Sequence, residues 1–595
     1  MMKKGLLAAV VGLAAAGVLG ADGERYPDQF VFAHRNLAIP SQLPEMSNIV
    51  YNAAACGYNG LVFWCGTHYA GRWNDLHSRE RPDAAWRAET SGIEDVDIWT
   101  PERRARLLAM DKLCTKLHCP LIPLVWSVGY CSMQSREPNM TAAAPVRDVP
   151  YVRKGDKAVW VHEAFEMPNG GFETATAEKP LAGWRTDGKG DLVFRDEAVK
   201  HSGAASARFV CDPLAGTKGV PMARAYRPVK VRPNRRYRLS AWYKTKDLGF
   251  TVEGSPRLMV VAGDTTIGSR GLRMSRTQDW TRYEITFNAL EASEVLVYVG
   301  AWKITSGTLW VDDVSIEPVG VRDVVRREGT PVRVRDAATG RVYREGVDYA
   351  PIPGVKMLDF ESRAGDLAIG IPSGSAIPPD AKLLVDAYEP VIAAGVQYSA
   401  CLANPELKRY YAASARRIED LLSPDKWFLS ADEFRAGCRC ELCTKAGSRA
   451  TLYAQTIRDQ YEAIQAVHPG ATCYVWADML DPNHNGKKNY YLCGDMTPRV
   501  DLLPKELVMV SWWDEKSKLS FDYFSSLGFR TMGAGYYDQM TPDRTIKNAQ
   551  KWLDSRNATP GCRGILYTTW SGERGNYEFL PLFYRVVERY GTPKK

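Results

Sequence analysis

Two carboxylates stand side by side at Asp432 and Glu433, closing the short apolar run Trp427-Phe428-Leu429-Ser430-Ala431. Adjacent carboxylates repel each other as anions, and burial penalises the charged form further, so one of the two is favoured to keep its proton near neutral pH. A protonated and an ionised carboxyl within reach of one substrate are the equipment of general acid–base chemistry. The structural use of the same pair is helix capping, with Asp432 as the cap and Glu433 in the first turn.

Preceded by Ser423-Pro424-Asp425 and followed by a Gly/Cys-rich loop, the apolar run reads as a buried strand that presents the acids at its C-terminal end. Similar runs occur at 30–34, 60–64 and 120–126 before it, and at 472–476, 507–511, 530–533 and 564–567 after it. Helical spacing lies between them, as at 101–117, where Thr100 is placed to cap and Pro101 to open the first turn. If the run at 396–401 is a side feature, eight strands alternate with helices, which predicts a (β/α)8 TIM barrel with its chemistry at the C-terminal strand ends. Those ends carry His34-Arg35, Trp64, Trp126, the acidic pair, Trp476 with Asp478, Trp512-Trp513-Asp514-Glu515, Tyr536-Tyr537-Asp538-Gln539, and Trp570 with Glu573. Aromatic faces suit the C–H faces of a sugar ring, and carboxylates with an arginine suit its hydroxyls, so the set describes a sugar pocket.

About 240 residues interrupt this rhythm. Segment 161–320 has short alternating strands separated by turn residues, the pattern of an antiparallel β-sandwich, and 321–394 is a smaller β-rich insert. The expected domains are therefore 22–160 and 395–595 for the two barrel parts, with 161–320 and 321–394 inserted between them. Asn169-Gly-Gly-Phe172-Glu173, Gly183-Trp184, His201-Ser-Gly203, Tyr237-Arg-Leu-Ser-Ala-Trp242 and Leu309-Trp310-Val311-Asp312-Asp313-Val314 resemble carbohydrate-binding modules of families 4 and 9, which are jelly rolls. Trp184, Trp242 and Trp280 are the rings there that could stack on sugar.

The barrel segments, over 31–140 and 395–590, resemble glycoside hydrolase family 20, the β-N-acetylhexosaminidases. That family ends strand four in His-x-Gly-Gly-Asp-Glu, which falls on Phe428 to Glu433; its strand-one Arg falls on Arg35 and its strand-five Trp on Trp476. Its Tyr-x-Asp falls on Tyr536 and Asp538, its Trp-x-Glu on Trp570 and Glu573, and its Asn-Pro-Glu on Asn404-Pro405-Glu406. The resemblance implies a retaining reaction in which the substrate's 2-acetamido oxygen attacks the anomeric carbon. Glu433 would protonate the leaving oxygen, Asp432 would accept the acetamido N–H, and Tyr536 would donate to its carbonyl. Arg35, Asp538 and Glu573 would hold hydroxyls, Trp476, Trp513 and Trp570 would wall the sugar, and Asp478 and Gln539 complete the substrate contacts. No metal or other cofactor is required.

The expected activity is thus an exported, exo-acting glycoside hydrolase that releases terminal N-acetylhexosamine. One alternative keeps the pocket and changes the sugar, for example a sialidase-type enzyme on mucin-like glycans, with Asp478, Tyr537 or Gln539 taking over roles. The other is a non-catalytic glycan-binding protein.

The wider chain frames these readings. It has 595 residues, 45% hydrophobic and 25% charged, so it is long enough for several cores. A net charge of +8 without a Lys/Arg block argues against a nucleic-acid partner. Residues 1–21 begin Met-Met-Lys-Lys and continue apolar and Ala-rich to small residues, as a secretory signal peptide does; no later run is long enough for an integral membrane span. Thirteen cysteines are an odd count for pairing. Cys438, Cys440 and Cys443 lie close enough to form a disulfide, to stay free, or to hold a structural metal with Cys493 or His484.

Overall fold

The computed structural model describes residues 27–37, 40–65, 100–130, 138–176, 181–188, 192–210, 223–272, 274–355, 365–393, 397–536, 541–569 and 577–590. The predicted signal segment 1–21 lies outside them, as do Tyr537, Asp538, Gln539, Trp570 and Glu573. The chain forms two compact units, one from Met1–Met140, Ala400–Phe434 and Lys445–Lys595, the other from Thr141–Ser399 and Arg435–Thr444.

The first unit is built on a closed barrel of eight parallel strands, paired in sequence order: β1 (Asp28–Ala33), β2 (Gly60–Trp64), β3 (Leu121–Val125), β4 (Lys426–Leu429), β5 (Thr472–Trp476), β6 (Val508–Ser511), β7 (Arg530–Tyr536) and β8 (Cys562–Thr568). Val31 opposes Leu61 on one side and Tyr567 on the other, which closes the ring. The strands are apolar on both faces because both are covered. Phe30, Phe32, Ile122, Phe428, Tyr474 and Val510 are among the side chains that fill the interior, each 0% exposed. Helix starts follow local chemistry: Thr100 accepts from the Arg103 N–H at the head of Pro101–Lys116, Ser448 from Thr451 at Arg449–Val467, and Thr541 from Arg544 at Pro542–Asn557.

At the N-terminal rim Asp28 is fully buried and takes three partners. Lys426 Nζ lies 3.0 Å from its carboxylate, Tyr474 Oη donates to it at 2.7 Å, and Arg563 Nε pairs with it directly. These groups sit on β1, β4, β5 and β8, so a single carboxylate ties together four strands.

The second unit is antiparallel. Its larger part is an eight-stranded sheet, and its smaller part a six-stranded sheet with its own core around Val146, Val334, Tyr151 and Val385. Strands Ala143–Lys154 and Lys157–Trp160 belong to this six-stranded sheet, where Ala143–Lys154 pairs with Lys382–Pro390. Their in-out burial pattern is that of a strand packed on one face, unlike the continuous apolar runs of the barrel. Within this unit Arg236 is buried between Asp323 (3.0 Å) and Glu389 (2.6 Å), a paired charge that carries its own counter-ions.

The expectation of a (β/α)8 TIM barrel interrupted by an inserted jelly roll and a small β-rich module is corrected by this architecture. The chain is β-rich overall, and its closed barrel is strand-dominated. The connection from Trp476 to Val508 holds 3-10 turns at Asp478–Leu480 and Val500–Leu502 and no α-helix. Pro482, Gly486, Pro498 and Pro504 break up that segment, removing backbone donors and favouring turns. The segment read as a two-sheet sandwich is one hydrogen-bonded sheet of antiparallel half-barrels, because Arg236–Ala262 and Glu294–Pro318 run through all of it. Register shifts between Lys246 and Gly249 and between Phe250 and Ser255 let these long strands bend without ending.

Candidate functional site

The acidic pair follows β4 at the C-terminal mouth of the barrel. Backbone hydrogen bonds extend the β3–β4 pairing beyond the strands, Ser430 N–H to Val125 at 2.9 Å and Val128 N–H to Ser430 at 3.1 Å. The β3 loop thereby lies flat against the acids. A Cβ on Gly129 would stand 2.0 Å from the Asp432 carbonyl oxygen, so only glycine permits this approach. On the far side Tyr453, fully buried on helix Arg449–Val467, donates to the Ala431 carbonyl. Glu433 itself adopts φ +49°, a left-handed conformation rare for a residue with a side chain, and the contacts on both sides hold it there.

Three carboxylates converge. The Glu433 backbone N–H donates to Asp478 Oδ2 at 3.0 Å, and that oxygen also accepts from Asn485 Nδ2 at 2.8 Å. Asp478 is 1% exposed. Asp432 accepts from the Ser430 hydroxyl at 3.1 Å. Burial first, then the charges of Asp478 and Glu433, push the Asp432 carboxyl up to about 8, so it carries a proton at neutral pH. The carboxylate of Glu433 accepts from the Tyr130 hydroxyl. The mouth therefore sets a neutral carboxyl beside a second acid that accepts from a phenol.

His484 lies on the loop after β5, 8% exposed, with its ring 4.1 Å from Trp512 and 5.1 Å from Trp513. Burial pushes its pKa down to about 4 against the opposing pull of Asp481 and Glu433, so the imidazole is neutral in ordinary conditions. It packs on tryptophans, and the Cys493 thiol donates to the Phe434 carbonyl at 3.0 Å. Cys438, Cys440, Cys443 and Cys493 are all buried.

The other strand-end residues divide. Arg35, 6% exposed, bonds Glu45 at 2.7 Å and the His34 carbonyl. Trp476 and Trp64, 1% and 3% exposed, are barrel interior, and Trp476 packs on Phe428 at 4.7 Å. Trp126 turns outward to helix Glu406–Leu422, donating to Ser414 at 3.0 Å and packing on Tyr411. Trp513 is half-buried at the mouth beside His484, and Asp514 pairs with Lys551. Tyr536 ends β7, and its backbone pairs with Thr568. In the second unit Trp184 is buried and donates to Asn169, whereas Trp242 stacks on His201 at 3.9 Å with Trp280 edge-on to the same imidazole. Tyr130, His484 and Asn485 are site residues that strand-end reasoning missed. Tyr130 stands five residues beyond β3, and the polar run Asp481-Pro-Asn-His-Asn485 after β5 was the available signal.

No protein-family model matches the sequence, and no curated protein matches it. Solved structures similar to part of the chain include a family 61 carbohydrate-binding module, TmCBM61, in complex with β-1,4-galactotriose (19% identity, 25% of this chain and 95% of that one, TM-score 0.21). A family 4 carbohydrate-binding module (16%, 26% and 99%, TM-score 0.20) and an endo-β-1,4-glucuronan lyase from the fungus Trichoderma reesei (11%, 23% and 92%, TM-score 0.18) are others. At these scores the likeness carries no conclusion about fold or chemistry.

Proposed function

We propose that this chain is an exported glycoside hydrolase whose acid–base centre is Asp432 and Glu433. The observation that carries the reading is the convergence of Asp432, Glu433 and Asp478, with Tyr130, at one end of a parallel barrel. Glycoside cleavage uses one protonated and one ionised carboxyl, and the raised Asp432 supports the protonated role. Export rests on the basic and apolar opening of the sequence, and no helix among the described residues is long and apolar enough to cross a membrane.

On an N-acetylhexosaminide the division of labour follows from the proton's position. Asp432 holds it in the free site. An acetamido N–H donating to Asp432 favours the charged carboxylate, and the displaced proton passes to Glu433. Glu433 then protonates the departing glycosidic oxygen while the acetamido oxygen attacks the anomeric carbon, and afterwards it takes a proton from the incoming water. Tyr536, Arg35, Asp478, Trp476, Trp513, Asp538, Gln539, Trp570 and Glu573 remain the proposed substrate contacts and supports. Trp476 would act from the barrel interior by backing the pocket floor.

A second reading is favoured by the Tyr130–Glu433 contact. A phenol whose hydroxyl faces a carboxylate is placed to lose its proton and act as nucleophile, the arrangement that sialidase-type hydrolysis uses. Assays on nitrophenyl β-GlcNAc, β-GalNAc and α-sialosides, each with wild type and Glu433→Gln, separate the readings. Release of N-acetylhexosamine lost in Glu433→Gln supports the first. Release of sialic acid alone supports the second, and no release from any of the three, with glycan binding kept, leaves only a binding protein.

A further inference from the structure

The loop after β5 carries a polar ring that the acid–base scheme leaves unused. Asp478 and Asp481, each 1% exposed, fix this loop from within. The Asp481 carboxylate accepts from the Asn483 backbone N–H at 2.8 Å and from the Asn483 side chain at 3.1 Å, and its carbonyl accepts from the His484 and Gly486 N–H groups, both at 3.0 Å. On the other flank the Asn485 N–H donates to the Asp478 carbonyl at 3.0 Å. A Cβ on Gly486 would stand 2.5 Å from Pro498 Cγ, so the loop closes tightly behind His484. The backbone of His484 is thus set before any ligand arrives.

Its side chain is held by ring contacts alone. The imidazole meets Trp512 edge to face and lies tilted against Trp513, and Trp512 packs in turn on the barrel interior. Strands β4, β5 and β6 are neighbours, so Glu433, His484 and the Trp512-Trp513 pair follow one another around the mouth. The Glu433 charge is near enough to act on the ring. Among the described residues no group hydrogen-bonds either ring nitrogen. A polar side chain only 8% exposed is ordinarily paired, and leaving it unpaired costs stability. A neutral imidazole offers one N–H donor and one bare nitrogen acceptor. A hydroxyl is donor and acceptor at once and can use either nitrogen, whereas a carboxylate can only accept and an ammonium can only donate. Trp513, half-buried beside the ring, adds the apolar surface that the C–H face of a sugar covers.

We propose that His484 is a specificity-determining residue that hydrogen-bonds one hydroxyl of the sugar whose linkage Glu433 protonates, with Trp513 against that sugar's C–H face. This assignment rests on the acid–base reading of Asp432 and Glu433. A histidine kept only to fill space between tryptophans makes a different prediction, because phenylalanine would serve there equally well.

A variant-by-substrate cycle separates the two. kcat/KM is measured for the wild type, His484→Phe and His484→Gln on nitrophenyl β-GlcNAc and on its 3-deoxy, 4-deoxy and 6-deoxy forms. His484→Phe keeps the ring packing without the nitrogens and should lose roughly tenfold on the parent sugar, the worth of one hydrogen bond. His484→Gln, which keeps a donor and an acceptor, should recover part of it. One deoxy sugar should cost the wild type the same factor and cost His484→Phe nothing further. Full activity in His484→Phe, or losses that multiply for all three deoxy sugars, would overturn the assignment. Absence of wild-type turnover would instead sink the N-acetylhexosaminidase reading, and His484 is then judged by binding. The full chain, isotope-labelled at histidine, is titrated with N-acetylglucosamine, N-acetylgalactosamine and N-acetylneuraminic acid and followed by NMR. A shift of the His484 ring signal, identified by its absence in His484→Phe, keeps the residue in a sugar site, and no shift with any of the three sugars overturns the proposal.

Discussion

Replacing Asp432 with Asn should leave the protein's stability almost unchanged in acid and raise it at alkaline pH. Burial, reinforced by Asp478 and Glu433, lifts this carboxyl from 3.8 to about 8. Unfolded, the group titrates near its ordinary value, so between these two pH values the folded state holds a proton that the unfolded state has released. Stability therefore falls as pH rises across that window, the penalty being absent below about pH 4 and complete above about pH 8. Each pH unit corresponds to ~1.4 kcal/mol. The three carboxylates titrate together, so only part of the roughly 6 kcal/mol belongs to Asp432, and a net effect of about 2–4 kcal/mol is expected. Asn keeps the shape and cannot ionise. Thermal midpoints followed by tryptophan fluorescence from pH 4.5 to 9 should show the variant's curve flattening while the wild type declines. On the order of 2 °C per kcal/mol, the gap at pH 9 is ~4–8 °C. Parallel curves, or a variant that loses stability equally at every pH, would refute the assignment of the proton to Asp432.

Tyr130→Phe removes the hydroxyl that holds the Glu433 carboxylate. A hydrogen bond to a charged group is worth about 1.5–3 kcal/mol, so kcat/KM on an N-acetylhexosaminide should drop roughly 10- to 100-fold, whereas a loss beyond about 1000-fold on sialosides would mark Tyr130 as nucleophile; an unchanged rate removes it from the site. Gly129→Ala forces the β3 loop off the Asp432 carbonyl, and overpacking of about 1–3 kcal/mol should appear as a lower thermal midpoint together with at least tenfold weaker activity, a result that normal turnover would contradict. Asp28→Asn leaves the half-buried Lys426 and Arg563 at the barrel's N-terminal rim without their fully buried counter-ion, a loss of about 3 kcal/mol. Its midpoint should fall by more than that of any surface Asp→Asn variant and recover in part when Arg563→Met is added.

The order and ends of the eight barrel strands were legible because each is a short apolar run bounded by turn residues, and the caps at Thr100 and the acids after Ala431 sat where those runs stop. The direction of each side chain was not. A strand covered on both faces carries no alternation to say which residues point inward, so Trp126, Trp64 and Trp476 read alike as strand-end aromatics, yet the first packs on a helix and the other two fill the barrel. Arg35 shows a related limit of pattern: its partner Glu45 lies on the following helix, and nothing in the spacing reveals that pairing. The groups that give the acidic pair its chemistry come from loops. Tyr130 approaches because Gly129 admits the backbone, and Asp478 reaches Glu433 because a Pro- and Gly-broken segment replaces a helix after β5. That departure from a regular strand–helix alternation is therefore tied to the site itself. The irregular connection supplies Asp478, His484 and Asn485 within fewer than ten residues, and a continuous helix there would carry the last two around and away from the mouth at 3.6 residues per turn. Regular barrel strands place the acidic pair and bury it, and the break in regularity adds Asp478, whose charge reinforces burial in keeping the proton on Asp432.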